Sequence, residues 1–328
     1  MLIPPKYFLT PKISQLLASI EASKEVIDAI SIPAEVETNI RRSSTLKSSL
    51  FSARIEGNTL TLDELSSRPS KDQKKAEVFN ILKALNTIFQ KRNKDITLKD
   101  ILNLHKIVME GLTHKTQQGK IRNEVSAIFN SAGIAVYMPP PPRSIPSFLE
   151  KLIKFANSQK EQFVPIRACL THYTFEKIHP FLDGNGRVGR LLLQTIMYKG
   201  GYGMKGLLTI EEYLDNNRSD YYRALEETER DASPYLELML EAIAETSEKA
   251  KQLVLEKKQL QAKDYLLPRR AEILDIIKDH RLVNFDQIRR RFMAVNERTL
   301  RFDLKKLTDA GLIRKLGNTK GVYYEYLD

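Results

Sequence analysis

Cysteine is almost missing from this chain: Cys169 is the only one among 328 residues. No internal disulfide can form, and a reducing cytosol is the expected setting. Cys169 sits in the helical-looking run "PIRACLTHYTFEKI", where packing suits it better than a catalytic role. Long apolar runs are missing too, since none approaches the roughly 20 residues that cross a bilayer. The opening "MLIPPKYFLT" has prolines where a secretory signal carries its apolar core, so a cytoplasmic protein without membrane contact is expected. With 42% hydrophobic and 28% charged residues the chain is not disordered, and its length suits about two domains. Positive charge is what it has in excess. A net charge of +11 and an isoelectric point near 9.4 favour an anionic partner: nucleic acid, nucleotide or an acidic protein surface.

From Lys12 to Gln90 apolar residues recur at helical spacing. The segment "STLKSSLFSARIEGN" places Leu46, Leu50 and Ala53 on one face, with Gly57 and Asn58 as a C-terminal stop. "TLKDILNLHKIVMEGL" opens with Thr97 as cap and Asp100 three residues on. Then "SAIFNSAGIAVYM" sets Asn-Ser-Ala-Gly between two β-prone runs, a hairpin at about Ala127 to Tyr137. Pro139 to Pro142 end it. Helical periodicity resumes at "SIPSFLEKLIKFANSQ" and runs to about Glu245. A Glu-, Lys- and Gln-rich connector leads on to Lys263, and Pro268 interrupts it.

The last sixty residues read as three helices, "RRAEILDIIKDH", "NFDQIRRRF" and "NERTLRFDLKKLTDAG". Strand, turn and strand follow in "LIRKL", "GNTKG" and "VYYEYL". That order predicts a small α+β winged helix-turn-helix. Leu300, Leu304 and Leu307 form the inward stripe of its third helix, with Arg298, Arg301 and Lys305 on the opposite face. Such a face suits DNA. It equally suits the solvated side of a module for protein contact or homodimerisation.

Within "HPFLDGNGRVGRLLL" the letters GNGRVG match G-x-G-x-x-G, the dinucleotide-binding fingerprint. Glu211 and Glu212 even fall near the distance of a ribose-binding acid. The context contradicts that reading, because an amphipathic helix precedes Gly184 and no strand–helix alternation follows. The same glycines make better sense as an anion nest. Gly184, Asn185 and Gly186 open the helix "RVGRLLLQTIMYK", whose amides and positive end attract phosphate. Arg187 and Arg190 can both reach a polyphosphate held there. Asp183 is a hard oxygen ligand suited to Mg²⁺. His179, with Pro180 after it, is the natural proton acceptor. Singly, each is a packed His, a surface Asp, a helix-start Gly or a solvated Arg. Together they fill twelve positions.

Those twelve positions, "HPFLDGNGRVGR", resemble the Fic family signature HxFx(D/E)GNGRxxR at every specified position. The resemblance runs from about Leu98 to Tyr235. It implies a mainly α fold, a helical Fic core with a β-hairpin flap, and transfer of AMP from ATP to a hydroxyl of a protein. By that resemblance His179 takes the proton of the target Ser, Thr or Tyr while pyrophosphate leaves. Asp183 holds Mg²⁺, and the nucleotide binds along Gly184, Asn185, Gly186, Arg187, Val188, Gly189 and Arg190. Phe181 is a buried prop. The flap docks the target as an added strand. In "YLDNNRSDYYRAL", Asn217 and Tyr221 stand where the family shapes its adenine pocket.

"SARIEGN" resembles the family's inhibitory motif (S/T)xxxE(G/N), with Ser52 and Glu56 on one helix face. The implied inhibitory helix, about 43–58, sets Glu56 against Arg190 in place of the γ-phosphate. The domains expected are an N-terminal helical region over 1–97, a Fic catalytic domain over 98–240, a helical linker over 241–268 and a winged helix over 269–328. The leading expectation is an auto-inhibited protein adenylyltransferase whose substrates include itself. Two alternatives stand beside it. One is removal of AMP, with Glu56 positioning a water. The other is a transcriptional regulator that binds DNA and uses the nucleotide site as a sensor.

Overall fold

The computed structural model describes residues 1–67, 72–90, 95–129, 135–259, 266, 268–317 and 321–327. By its internal contacts the chain divides into residues 1–29 with 39–253, and residues 30–38 with 254–328.

The first unit is helical, as expected, around one buried helix. The N-terminal helices are α1 (Pro11–Ala29), α2 (Ala34–Ile55), α3 (Leu62–Ser67) and α4 (Gln73–Gln90). Helix α5 (Leu98–Val108) starts at Thr97, whose side chain accepts from the Asp100 amide while Asp100 reaches back to the Thr97 amide. This is the reciprocal cap the sequence implied. Helix α6 (Ile145–Ala156) buries Ile145, Leu149, Leu152 and Phe155, a stripe at helical spacing. Helix α7 (Val164–Ile178) is buried on every face from Pro165 to Ile178. It packs between α6 and α8 (Asn185–Lys199). Cys169 is inside it and fully buried, a packing residue whose thiol burial pushes far up. Helices α9 (Ile210–Asn216), α10 (Arg218–Glu226) and α11 (Ser233–Gln259) complete the set.

The hairpin is short. Strand β1 (Ile128–Phe129) pairs antiparallel with β2 (Ala135–Tyr137), Ile128 opposite Tyr137. The turn expected at Asn130 to Gly133 lies outside the described residues, as does the end of the connector toward Lys263. Among the described residues no helix is long and apolar enough to cross a membrane.

The second unit has α12 (Pro268–His280), β3 (Leu282–Asn284), α13 (Phe285–Arg291), α14 (Glu297–Asp309), β4 (Ile313–Leu316) and β5 (Tyr323–Tyr326). The strands form an antiparallel sheet in the order β3-β5-β4. Leu300, Leu304 and Leu307 of α14 point into a core with Ile273, Ile277, Val283 and Ile288. The sequence reading missed β3, because three residues are too few to show a period of two. Its middle residue, Val283, is fully buried while Leu282 is half exposed. The centre of the turn "GNTKG" lies outside the described residues. Asp303 is buried on α14 and accepts from Arg269 at 2.6 Å and Arg270 at 2.9 Å. Arg270 also pairs with Glu35 at 3.1 Å. Two arginines on one buried carboxylate satisfy it fully, which a buried charge requires.

Candidate active site

The site begins where α7 stops. His179 caps the helix in the left-handed region, φ 48° and ψ 60°, a conformation that few non-glycine residues adopt and that costs free energy. Pro180 follows, and the chain turns back through Gly184, also left-handed at φ 82°, into α8. Gly184 carries no side chain to cap α8, so the amides of its first turn are left for an anion. A Cβ on Gly184 would stand 2.6 Å from Met109 Sδ, so the turn also needs glycine for space.

Side chains from inside and outside the motif pin this loop. Asn185 turns inward, accepting from the Phe181 amide at 2.9 Å and donating to the Phe181 carbonyl at 2.8 Å. Phe181 is fully buried, the prop the resemblance implied, and His105 stacks on it at 3.8 Å. The His105 ring accepts from the Gly119 amide at Nδ1 (2.8 Å), so its proton is on Nε2, which donates to the Asp183 carbonyl at 3.0 Å. Arg122 donates to the His179 carbonyl at 2.8 Å.

The His179 imidazole is partly buried, with Nδ1 3.3 Å from the Glu176 carbonyl. A carbonyl only accepts, so this contact suits the tautomer with its proton on Nδ1 and a lone pair on Nε2. Burial lowers the His179 pKa below its ordinary value and the Arg122 charge lowers it further. The Glu176 carbonyl, Glu56 and Asp183 oppose them. The ring is neutral at neutral pH and can accept a proton.

Asp183 is the most open group, its side chain 58% exposed. It accepts from the Gly184 amide at 2.5 Å and from Arg187 at 2.7 Å. Arg187 is buried and also donates to Glu77 of α4 at 2.6 Å. Arg190, one turn on, is 2% exposed. Its Nε donates to Ser52 Oγ at 3.0 Å, and its Nη2 to the Ser52 carbonyl at 2.8 Å and to Glu56 Oε1 at 2.9 Å. The Glu56 carboxylate lies on the first turn of α8, where a Cβ on Gly186 would fall 2.3 Å from Oε1. A side chain at 186 and this carboxylate exclude each other.

One turn below, a second rung joins the same two helices. Ser48 donates to Glu211 at 2.7 Å, and Gln194 donates to Glu211 at 2.8 Å and to Ser48 at 3.2 Å. Ser48 and Ser52 are four apart on α2, as Arg190 and Gln194 are on α8. At the end of α2, Arg218 and Tyr222 of α10 donate to the Arg54 and Ile55 carbonyls at 2.7 and 3.0 Å.

Under α8 is a buried polar cluster of which the sequence singled out only Tyr221. His172 meets the Tyr235 hydroxyl at 2.6 Å and the Tyr221 hydroxyl at 3.2 Å. Its Nε2 is 3.6 Å from Glu176 Oε1. Burial drives the His172 pKa down to about 3 and that of Glu176 up to about 8, so both are neutral at pH 7. Their contact is therefore no ion pair. The Glu176 carboxyl fills the space beside Gly189, where a Cβ would lie 2.1 Å from Oε1.

The motif residues thus divide. His179, Asp183, Gly184, Gly186, Arg187 and Arg190 surround one loop and one helix end, with Ser52 and Glu56 over it. Val188 is fully buried, and Gly189 faces Glu176 on the core side of α8. Tyr221 is 1% exposed with its hydroxyl on His172. Asn217 donates to the Tyr213 carbonyl at 2.9 Å, closing α9. A cavity of about 310 Å³ beside the loop is lined by His105, Met109, Lys120, Arg122 and Asp183 among others. A larger one of about 980 Å³ runs along α5 and the far end of α8 and touches none of these motif residues. In the second unit, Arg298, Arg301 and Lys305 are all exposed on α14. Arg301 lies over the Phe285 ring at 3.9 Å, with Glu297 at 3.8 Å. Among the described residues no group of three His, Cys, Asp or Glu side chains could hold a metal by itself.

The chain is similar to known proteins around this site. It is 29% identical over 252 residues to the protein adenylyltransferase Fic of Drosophila melanogaster, covering 73% of this chain and 48% of that one. The counterpart in Drosophila yakuba matches at 29% over 198 residues. The chain spans about half the length of the first of these relatives or less. Among solved structures, a Fic family protein from Desulfovibrio desulfuricans G20 superposes with a TM-score of 0.69 at 25% identity, covering 98% of both chains. Fic-1 of C. elegans superposes at 0.61 and 23% identity over 74% of this chain and 72% of its own. Residues 95–197 match the Fic/DOC family, and this chain carries a Fic/DOC family domain.

Proposed function

We propose that this chain is an auto-inhibited protein adenylyltransferase, moving AMP from ATP to a Ser, Thr or Tyr hydroxyl of a protein. The observation that carries the reading is one continuous turn holding a neutral imidazole at His179 and an uncapped helix end at Gly184. Relatives named protein adenylyltransferase support it. In the reaction, the target oxygen bonds to the α-phosphorus, its proton goes to His179 Nε2, and the bond to pyrophosphate breaks. The α8 amides and the two arginines stabilise the charge on the phosphates.

Mg²⁺ fits this donor set in one way only. Asp183 is an exposed carboxylate and among the described residues no group of three His, Cys, Asp or Glu stands there, so a cation there would draw most of its ligands from phosphate and water, as Mg²⁺ does. Bound so, it would neutralise phosphate charge. Glu56 on Arg190 supports inhibition, because a guanidinium held by a carboxylate cannot also clamp the γ-phosphate. We infer further that residues 269–328 act as a winged helix that grips DNA through Arg298, Arg301 and Lys305. The order of α12, β3, α13, α14, β4 and β5 supports it. Transfer of label from α-³²P-ATP to protein, absent in His179→Ala, tests the main reading. No transfer by the Glu56→Gly chain to itself or to any protein offered would refute it.

A further inference from the structure

Arg122 is 3% exposed and spends its guanidinium wholly on main-chain carbonyls. Nε donates to His179 at 2.8 Å, Nη1 to Glu124 at 2.7 Å and Nη2 to Pro140 at 2.7 Å. Its own amide donates to the Pro180 carbonyl at 2.9 Å. Glu124 precedes β1 and Pro140 follows β2, so these are the two stems of the hairpin. One planar fork therefore ties both stems to both carbonyls of the His179–Pro180 turn. We propose that Arg122 is a positioning residue for His179, setting the imidazole and the hairpin in one register so that a strand docked on the hairpin presents its hydroxyl to Nε2. The proposal rests on the adenylyl-transfer reading given above.

The geometry is specific to arginine. Three acceptors lie in three directions around one plane, which a guanidinium can reach together and an ammonium cannot. The left-handed backbone at His179 needs such restraint, because an unsupported residue would leave that region. Charge gives a second, independent link. Arg122 faces His179 together with Glu56 and Asp183, and its positive charge disfavours the imidazolium while the two carboxylates favour it. The three hydrogen-bonded acceptors of Arg122 are neutral, so none of them cancels that charge.

The test uses the full chain carrying Glu56→Gly, with Arg122→Lys and Arg122→Gln added separately. His179 ring titration by NMR is followed beside label transfer to protein and ATP binding. Both variants are expected to lose about tenfold or more in transfer rate, with ATP affinity kept within about threefold. The His179 pKa should rise in Arg122→Gln, which removes the charge, and stay in Arg122→Lys, which keeps it. Parental transfer in Arg122→Lys overturns the proposal. So does an unmoved His179 pKa in Arg122→Gln, or ATP affinity falling in step with rate. If Arg122→Gln does not fold, Arg122→Lys decides alone by its transfer rate. Absence of transfer from every chain, with the titration shift intact, would refute the adenylyl-transfer reading and leave the coupling of Arg122 to His179 standing.

Discussion

Arg190 and Glu56, 134 positions apart in the chain, meet at 2.9 Å over the first turn of α8. The same guanidinium holds the Ser52 hydroxyl and carbonyl, so α2 occupies most of what Arg190 can offer. Glu56→Gly removes the carboxylate and leaves both Ser52 bonds. Adenylyl transfer, self-modification included, should rise about tenfold or more, equivalent to about 1.4 kcal/mol of relieved competition. The fold should survive the change, because Arg190 keeps both of its hydrogen bonds to Ser52. Arg190→Ala should not mimic it, since the phosphate loses its clamp. Equal labelling by parent and Glu56→Gly at saturating ATP and Mg²⁺ would remove Glu56 from regulation.

His179→Ala should lower transfer by about 10² to 10⁴-fold and leave ATP binding nearly unchanged, because a base acts on the transition state. The pH profile follows from the depressed His179 pKa. Neutral imidazole is the active form, so the rate is kept above that pKa and lost as pH falls through it. The acid limb should lie below the ordinary histidine value of about 6.5. An acid limb at or above that value contradicts the assignment.

Asp183→Ala should abolish Mg²⁺-dependent transfer, with poor rescue by excess metal. It also frees Arg187 from one of its two carboxylates, so ATP binding without metal should hold or improve. Full activity in chelator would give Asp183 another role.

Glu176 makes stability depend on pH. Its pKa is raised to about 8 by burial in the fold. The folded state thus binds the proton more tightly than the unfolded one, and stability falls as pH rises from the ordinary glutamate value through 8. The isosteric Glu176→Gln should remove that slope, so its melting temperature gains on the parent between about pH 5 and pH 9. A constant difference across that range would mean that Glu176 is already ionised.

In the second unit, Ala at Arg298, Arg301 and Lys305 together should weaken duplex binding and flatten its dependence on salt, by about 0.9 in log–log slope for each phosphate no longer neutralised. Arg301 should contribute least, being held on Phe285 and near Glu297. Salt-insensitive binding in the parent would turn the reading toward protein contact.

The site is legible in sequence where its residues are contiguous. His179 to Arg190 occupy one turn and one helix start, so their order carries their geometry, and the i, i+4 spacing of Ser52 and Glu56 implies a shared face. The helical fold follows from apolar periodicity and from a cap such as Thr97. The residues that hold the site are not legible. Glu77, His105 and Arg122 reach it from separate elements, and nothing local marks a side chain whose partner is a distant carbonyl. His172 and Glu176 leave a faint signal, two polar residues one turn apart in a helix otherwise suited to burial. Tyr221 is expected to face a ligand, yet its hydroxyl is on His172, because polarity in a sequence does not reveal which way a ring turns.

The two rungs joining α2 to α8 restrict how α2 can leave α8. A slide by one residue moves a helix about 1.5 Å and rotates its faces by about 100°, so Ser48, Ser52 and Glu56 would lose their partners together. Fraying from the C-terminal end asks for much less. Glu56 already lies one residue past the last turn of α2, and Gly57 follows in the left-handed region at φ 99°. Unwinding that end withdraws the carboxylate while Ser48, Gln194 and Glu211 keep the helix docked. The Arg54 and Ile55 carbonyls, held by Arg218 and Tyr222, are then the catch on this motion, and whatever pulls α10 away would free Arg190 from Glu56 while α2 stays docked.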